Sequence, residues 1–277
     1  MILLCSFLII SAAVCVDLII RWSASGILPA VLFAVVCFVA CNVLYLIVNY
    51  LVALCVNGSK HVDHPRFYYA WNAAQAAELI CIYCGLHIHV SGEELLPKGK
   101  RYLFVSNHRS NMDPIVVMNK LRNHEIAFIS KEANLRIPIV GKFIHECCFL
   151  PIDRENPRNA IATINTAAEY LQNDVVSIGI YPEGTRSKSA HMGEFHAGSF
   201  KIAQKANVPI VVASVSGTEN VSKRVLRGTT VYIDIIGVID AEKVAAMKTV
   251  ELAGCVKSMI GEHLKTRDNF EVKTDIK

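Results

Sequence analysis

The first 59 residues of this 277-residue chain are almost devoid of charge, since Asp17 and Arg21 are the only charged side chains among them. Two apolar runs, 1–20 and 27–56, lie on either side of a short polar turn. A bilayer core about 30 Å thick requires about 20 helical residues, and both runs are long enough. We therefore predict a membrane hairpin over residues 1–59. A cleaved signal peptide is the weaker alternative, because the first run lacks a positively charged start and a convincing cleavage site.

The rest of the chain lacks the charge bias and the motifs of several protein classes. Beyond residue 59 it carries 27 of the 28 Lys and Arg and 23 of the 24 Asp and Glu, so its net charge is the +4 of the whole chain. That excess is too small to indicate a nucleic-acid partner, and no zinc-finger or RNP-like pattern accompanies it. It suits a surface near anionic lipid or an anionic substrate. A Gly-x-Ser-x-Gly elbow is also absent, which argues against a membrane-bound serine hydrolase.

Ten cysteines in a chain of this length do not form a disulfide framework. Five of them lie in the apolar N-terminal stretch, where they behave as small hydrophobic residues. Cys147 and Cys148 are adjacent and poorly placed to bridge each other. Cys81 and Cys84 have the spacing of a redox or metal pair, but they fall in an apolar helical pattern without a second pair. We therefore expect the cysteines to pack as apolar side chains in a reducing compartment.

Positively charged and aromatic residues follow the second apolar run. Lys60 and Arg66 indicate that the chain emerges on the cytoplasmic side, although Arg21 at the other end of that run weakens the asymmetry. The segment 67–84 has the pattern of an amphipathic helix with an aromatic cluster at its start. Aromatic side chains favour the level of the lipid headgroups. We predict that residues 60–85 form an interfacial helix; the alternative is a helix packed on the soluble core.

From Leu86 onward, short apolar strand-like segments alternate with helical segments. The predicted strands are 86–90, 102–106, 126–130, 148–152, 175–181, 210–214 and 230–236, and the predicted helices are 114–121, 138–146, 157–172 with Asn156 as its cap, 197–206 and 241–264. Such alternation predicts an α/β fold with a mostly parallel sheet flanked by helices, here preceded by a transmembrane helical hairpin and an interfacial helix. We assign residues 86–264 to the α/β domain and the charged residues 265–277 to a flexible tail.

The stretch from Tyr102 to Pro114, YLFVSNHRSNMDP, brings a histidine and an aspartate close together. Its first five residues are typical of a buried strand, and Asp113 and Pro114 predict the N-cap and first position of a helix. His108 therefore lies just beyond a strand end, within reach of Asp113. A neutral imidazole held by a carboxylate is a general base for a hydroxyl near pH 7. On its own, the spacing is also typical of a solvated loop histidine and an N-cap aspartate.

Cationic side chains follow other predicted strands and should meet at the same edge of the sheet. Gly184 and Arg186 lie in the turn 181–187, where glycine allows close backbone approach and the guanidinium fits a phosphate. Arg154 and Lys131 follow two further strands. The alternatives are a solvated Arg186 on a surface turn and an Arg154 paired with a neighbouring carboxylate. Together with the histidine, these residues predict a site that deprotonates a hydroxyl on a phosphorylated molecule.

The motifs and their order resemble those of the glycerolipid acyltransferase family, in particular its lysophosphatidate acyltransferases. The matching blocks are 107–114 (NHRSNMDP, with His-x4-Asp), 131–135 with Pro138 and Gly141, 149–154 (FLPIDR), 181–187 (YPEGTRS) with Phe195 and Gly198, and 208–211 (VPIV). The agreement covers about residues 85–220, and the first and fourth blocks together are highly specific. Ala213 stands where a proline is common in the family, which affects only the end of the last strand.

The resemblance implies an activity and a set of roles. His108 would take the proton from the sn-2 hydroxyl of lysophosphatidate, and Asp113 would orient His108. The freed oxygen would attack an acyl thioester, supplied by acyl-CoA or acyl-carrier protein, and make phosphatidate for phospholipid synthesis at the lipid bilayer. No metal or organic cofactor is implied. The residues implied to bind the glycerol phosphate are Lys131, Arg154, Glu183, Gly184, Thr185 and Arg186.

Other functions are alternatives at this point. They are an acyltransferase of the same family acting on another lysolipid, a transacylase that takes its acyl chain from a phospholipid, a membrane-bound hydrolase, and a non-catalytic lipid-binding protein. His108 and Asp113 could also contribute to a metal site. The base mechanism predicts that alanine at either position abolishes acyl transfer while the protein stays folded and membrane-bound.

Overall fold

The computed structural model describes residues 2–22, 27–58, 60–153, 157–187, 192–224 and 227–274. It begins with two helices, α1 (Ile2–Trp22) and α2 (Ile27–Leu54), which pack against each other. Within the described residues, one helical stretch, Pro29–Leu54, is long and apolar enough to cross a membrane by length and composition, and a shorter apolar stretch covers Ser6–Asp17. The apolar α2 supports membrane association of the chain. The polar turn predicted between the two runs includes residues 23–26, which lie outside the described residues.

The α/β part is built on one mostly parallel sheet, as the sequence predicts. Its strands are β1 (Leu86–Ser91), β2 (Leu103–Ser106), β3 (Ile126–Lys131), β4 (Leu150–Ile152), β5 (Ser177–Ile180), β6 (Ile210–Ser216) and β7 (Thr229–Ile239). Their order across the sheet is β1-β7-β6-β2-β5-β3-β4. Each strand that the sequence predicts is present, with bounds that differ by a few residues.

Strand direction changes once, between β6 and β7, which pair antiparallel. Because β1 pairs parallel with β7, these two strands run opposite to the other five. A parallel return would need a crossover of a dozen or more residues, usually a helix. The connection from β6 to β7, residues 217–228, contains no α-helix among its described residues and only a 3-10 helix, Thr218–Lys223. The carboxyl ends of β2, β3, β4, β5 and β6 therefore share one edge of the sheet, which we call the rim.

Helices occupy most connections between the strands. They are α3 (Phe67–Tyr83), α4 (Met112–Lys120), α5 (Glu132–Leu135), α6 (Val140–Glu146), α7 (Pro157–Gln172), α8 (Lys201–Ala206), α9 (Ala241–Ala246) and α10 (Thr249–Thr274). The short α5 is not predicted by the sequence pattern, and α8 follows a 3-10 turn over Ala197–Phe200. The Asn156 cap predicted for α7 lies outside the described residues.

Two helix predictions need correction. The helix predicted from Pro114 begins at Met112, so Asp113 lies in its first turn and Asn111 occupies the N-cap position. The predicted C-terminal helix is divided at Met247, whose backbone is extended. The side-chain amide of Gln204 donates hydrogen bonds to the carbonyls of Val244 (3.1 Å) and Met247 (2.7 Å), which holds the break in place. Such a contact between distant segments leaves no trace in local periodicity.

Helix α3 joins the hairpin to the α/β domain. The Tyr45 hydroxyl of α2 donates to Asn72 of α3 at 2.8 Å, and the Tyr68 hydroxyl of α3 donates to Asn49 of α2 at 3.3 Å. Both asparagines are buried. The helix also packs against α4 and α6, where the rings of Tyr69 and Phe143 meet edge to face at 5.0 Å. This bridge fixes the apolar hairpin relative to the sheet; a place for α3 at the membrane interface stays a prediction.

Helix α10 continues to Thr274, into the segment for which the sequence predicts a flexible tail. Its Arg267 donates two hydrogen bonds to the buried Asp234 of β7, at 3.0 and 2.5 Å. His263 and Ser91 approach the same carboxylate at 3.0 and 2.6 Å. Burial alone would raise the pKa of Asp234, but hydrogen bonds from Arg267, Ser91 and His263 outweigh it and lower that pKa. The charged C-terminal residues therefore include part of the anchor that holds α10 to the sheet.

Candidate active site

The predicted histidine and aspartate meet at the rim, just beyond β2. His108 Nδ1 lies 2.8 Å from Asp113 Oδ2. Asp113 is fully buried, whereas the His108 side chain is 17% exposed. A carboxylate at Nδ1 keeps the ring proton on that nitrogen, which leaves the lone pair on Nε2 to accept a proton. Nε2 forms no hydrogen bond with a described residue, so the geometry is that of a general base.

The position of Asp113 depends on the first turn of α4. Its Oδ2 also accepts the backbone N–H groups of Arg109 (2.7 Å) and Ser110 (2.8 Å), and its Oδ1 accepts the Thr218 hydroxyl at 2.5 Å. The carboxylate therefore folds back over the loop that carries His108. It orients the imidazole and also holds the loop, two tasks of which the sequence indicates only the first.

A stack of aromatic rings supports His108 from one side. The Tyr181 ring lies 4.3 Å from the imidazole at an interplanar angle of 17°, and Phe128 stacks on Tyr181 at 5.5 Å and 7°. Burial, with a smaller contribution from the charge of Asp113, raises the pKa of the Tyr181 hydroxyl well above its usual value. The neutral ring face therefore stays against His108, where its quadrupole stabilises an imidazolium. Tyr181 belongs to one of the family motifs, but the sequence gives no indication that its ring stacks on His108.

Glu183 ties the segment after β5 to the histidine loop. Its Oε1 accepts the backbone N–H of His108 at 2.8 Å. Its Oε2 accepts the N–H of Gly193 at 2.8 Å and a short hydrogen bond from the Ser187 hydroxyl. The Ser187 N–H in turn donates to the His108 carbonyl at 2.8 Å. The side chain is 4% exposed, and both of its oxygens serve protein donors, so this carboxylate positions the loop and does not face a phosphate.

Two further residues, which sequence reasoning did not single out, hold the same loop from the β6 side. Asn107 is fully buried and pairs with the backbone of Val215, donating to its carbonyl at 2.8 Å and accepting its N–H at 2.9 Å. Arg109 donates to Glu219 at 2.9 Å. The Asn107 amide thus extends the backbone pairing of β2 and β6 beyond the strand end. The one sequence feature that could have indicated a role for Asn107 is its position as a polar residue directly after a buried strand.

The predicted phosphate-binding residues lie along the rim but are not all brought together. Gly184 has a positive φ of 70°, which a glycine adopts without strain, and it carries the chain past His108. Thr185, Arg186 and Lys131 are exposed and form no ion pair with a described residue. Lys131 ends β3, two strands from β2, since β5 lies between them. Arg154 lies outside the described residues, just after Asp153 at the end of β4.

His108 and the exposed cations Arg186 and Lys131 all lie at or just beyond the ends of strands that meet at the rim. Among the residues that the structure describes, no group of three or more His, Cys, Asp or Glu is arranged to hold a metal ion. His108 can take a proton from a hydroxyl, and an anionic acceptor can approach Arg186 and Lys131. Fold and site together are those of a membrane-associated group-transfer enzyme.

Comparison with known proteins shows what this chain is similar to. Residues 87–216 match the acyltransferase family. It is 29% identical over 185 residues to the 1-acyl-sn-glycerol-3-phosphate acyltransferase of Borreliella burgdorferi, with 66% of this chain and 73% of that protein covered. The enzyme of the same name from Saccharomyces cerevisiae is 30% identical over 186 residues. That match covers 65% of this chain and 61% of the yeast enzyme, which is less than two-thirds of its length.

A solved structure shares the fold. The 1-acyl-sn-glycerophosphate (LPA) acyltransferase of Thermotoga maritima superposes with a TM-score of 0.61 at 23% sequence identity. The match covers 72% of this chain and 79% of that protein. At this identity the likeness is one of architecture, and the site residues are argued from the geometry of this chain alone.

Proposed function

We propose that this acyltransferase moves an acyl chain from an acyl thioester to the sn-2 hydroxyl of lysophosphatidate and so makes phosphatidate for phospholipid synthesis. The observation that carries the proposal is the 2.8 Å contact between His108 Nδ1 and the buried Asp113, which leaves Nε2 as the base. The names of the relatives from Borreliella and yeast support the same acceptor. The donor is acyl-CoA or acyl-carrier protein.

The reaction needs one proton relay and one displacement. Nε2 of His108 takes the hydroxyl proton as the acceptor oxygen attacks the thioester carbonyl carbon. The C–S bond then breaks, and the thiolate leaves with the proton returned by the imidazolium. Asp113 and the face of Tyr181 stabilise the imidazolium between these steps, and a positioned base of this kind contributes about 10²–10⁴-fold in rate.

The acceptor phosphate binds, in this proposal, to cations along the rim. Arg186 is the main ligand because it lies three residues from Glu183, which is bonded to His108, and its side chain is open to solvent. Gly184 and Thr185 offer backbone and hydroxyl donors in the same turn, and Lys131 and Arg154 add charge from β3 and β4. Glu183, by contrast, fixes the turn relative to His108. In this proposal, the reaction requires the turn that carries Arg186 and the loop that carries His108 to keep a fixed position relative to each other.

Membrane attachment follows from the substrate, since both lysophosphatidate and phosphatidate reside in the bilayer. In this proposal α1 and α2 form the membrane hairpin of residues 1–59, residues 60–85 lie at the interface, and residues 86–264 form the catalytic domain. The domain faces the cytoplasm, because Lys60 and Arg66 follow the end of α2. The donor thioester then reaches the rim from the aqueous side.

Product analysis tests the activity directly. The purified full-length chain in phospholipid–detergent micelles, given lysophosphatidate and acyl-CoA or acyl-carrier protein, should release one thiol for each phosphatidate formed. Lysophosphatidylcholine, lysophosphatidylethanolamine and lysophosphatidylglycerol serve as competing acceptors and should react more slowly, because they lack the terminal phosphate. Thiol release without acceptor would mark a hydrolase, and faster use of another lysolipid would replace lysophosphatidate as the substrate.

Replacing Arg186 with alanine should raise the KM for lysophosphatidate by about 10- to 100-fold, the usual weight of a hydrogen bond to a charged group, with little change in kcat. Arg186→Lys should recover only part of the loss, because an ammonium cannot form the paired hydrogen bonds of a guanidinium. The matched control is Lys243→Ala, which removes an exposed charge from α9, at the end of the sheet opposite the rim. An unchanged acceptor KM in Arg186→Ala would remove Arg186 from phosphate binding.

A further inference from the structure

A strained turn joins α5 to α6. Ile139 has φ 63° and ψ −66°, and the Val140 N–H donates to the Pro138 carbonyl at 2.7 Å, which together form a γ-turn of the rare positive-φ type. A β-branched residue is among the least suited to positive φ. Gly141 follows at a close approach, since a Cβ there would lie 2.1 Å from the Leu135 carbonyl oxygen. The backbone is therefore tightly packed where Gly141 passes Leu135. Backbone strain such as that at Ile139 persists only where the surrounding structure enforces it, and it is often found at functional sites.

The turn presents apolar side chains outward. Ile137 and Val140 are 45% and 51% exposed, and Pro138 between them is also exposed. Three apolar residues within four positions thus make a small protruding tip. The tip adjoins α6, whose inner side chain Phe143 is buried against α3. About half of the surface of Ile137 and of Val140 is open to solvent.

The tip lies beside the end of the membrane helix. Lys142, in the first turn of α6, donates from Nζ to the carbonyl of Val56 at 3.1 Å, two residues beyond the end of α2. The segment after α2 then follows α6, since the Arg66 N–H donates to the Glu146 carbonyl at 3.1 Å. The start of α6, and with it the tip, therefore lies close to the end of α2.

Positively charged residues flank the tip in the sequence. Lys131 and Arg136 are exposed on either side of α5, and Lys142 follows in α6. The acid nearest in sequence, Glu132, is paired with Arg136 at 2.6 Å. An apolar centre with a cationic border matches the interface of an anionic leaflet, in which apolar side chains enter the acyl boundary and the charges meet headgroups.

We infer that the turn Ile137–Val140 is a second lipid contact, which enters the interface of the leaflet next to the end of α2. The hairpin and the turn then support the α/β domain at two separate points. Two supports set the tilt of the rim as well as its distance from the bilayer. The turn is linked directly to the rim, because Lys131 at the end of β3 is only six residues from Ile137. The lipid contact itself does not depend on the chemistry of the site, but its effect on catalysis rests on the proposed function.

Depth-dependent quenching tests the contact without any assay of activity. The two tryptophans, Trp22 and Trp71, are replaced by phenylalanine, and Val140→Trp provides the reporter in full-length protein reconstituted into phosphatidylcholine–phosphatidylglycerol vesicles. Lipids brominated near the top of the acyl chain should quench its emission about twofold. The control is Val250→Trp, at a 70% exposed position of α10, which should be almost unquenched. Equal quenching at both positions, or no quenching at position 140, would overturn the inference. If a second copy of the chain covers the tip instead of lipid, the reporter at position 140 is not quenched.

The effect on catalysis is measured in parallel. The double variant Ile137→Glu, Val140→Glu should raise the KM for lysophosphatidate in anionic vesicles by about tenfold, because both carboxylates would face anionic headgroups. In detergent micelles, where no bilayer plane is imposed, its KM should match that of the native chain. Val250→Glu should leave both values unchanged. If the proposed function is wrong, the native chain is inactive in micelles as well, whereas a wrong lipid contact leaves activity intact and vesicle KM unchanged.

Discussion

Acyl transfer should fall by about 10²–10⁴-fold when His108 is replaced by alanine, the range typical for loss of a positioned general base. The fold should stay intact. The imidazole is partly exposed, and after its removal Asp113 still accepts the N–H groups of Arg109 and Ser110 and the Thr218 hydroxyl. The measurements are kcat/KM for phosphatidate formation and the midpoint of thermal unfolding. Turnover close to that of the native chain would end the role of His108 as the base.

Asp113→Ala should behave differently from His108→Ala, although the sequence alone predicts the same outcome for both. The substitution removes the acceptor of two backbone N–H groups and one hydroxyl in a fully buried position. Each buried donor left without a partner costs about 1–3 kcal/mol. We therefore expect Asp113→Ala to lose activity and also several degrees of the unfolding midpoint. Asp63→Ala, at a position where the side chain is 85% exposed, is the control and should change neither.

The sequence predicts the parts of this fold that depend on local pattern. The apolar runs indicate the strands and α2, and the polar residues after β2 and β5 indicate the rim, because parallel strands end together. The pairing of His108 with Asp113 needs only a short loop, so the spacing allows it, and the other family motifs favoured it over a solvated loop histidine. The family motifs add the roles of the turn at Arg186.

Contacts between distant segments could not be predicted in this way. Asn107 pairs with Val215, Asp113 accepts from Thr218, and Glu183 accepts from His108, and each partner is far away in the chain. The antiparallel direction of β7 could not be predicted either, because periodicity reports burial and not direction. Ile139 is a similar case, since no local rule places a β-branched residue at positive φ.

Glu183 is the residue whose role changes most between sequence and structure. Motif resemblance places it among the phosphate ligands, but a buried carboxylate that accepts from His108, Ser187 and Gly193 has no oxygen free for a ligand and would repel a phosphate. Its function in this geometry is to keep the turn that carries Arg186 in register with the histidine loop. A shift of about 1 Å at such a site can cost about 10²-fold in rate.

Glu183→Gln should therefore lower kcat by about 10²-fold and leave the acceptor KM nearly unchanged. The glutamine keeps one oxygen, but its NH2 group faces a protein donor, so at least one of the three hydrogen bonds is lost and the loop moves. Glu194→Gln is the matched control, because Glu194 follows Gly193 directly and its side chain is 93% exposed, with Lys257 as its partner. Native kinetics are expected there. A raised acceptor KM with unchanged kcat in Glu183→Gln would instead place this carboxylate at the substrate. The expected fall in kcat would show that Glu183 holds the turn that carries Arg186 in position against the histidine loop.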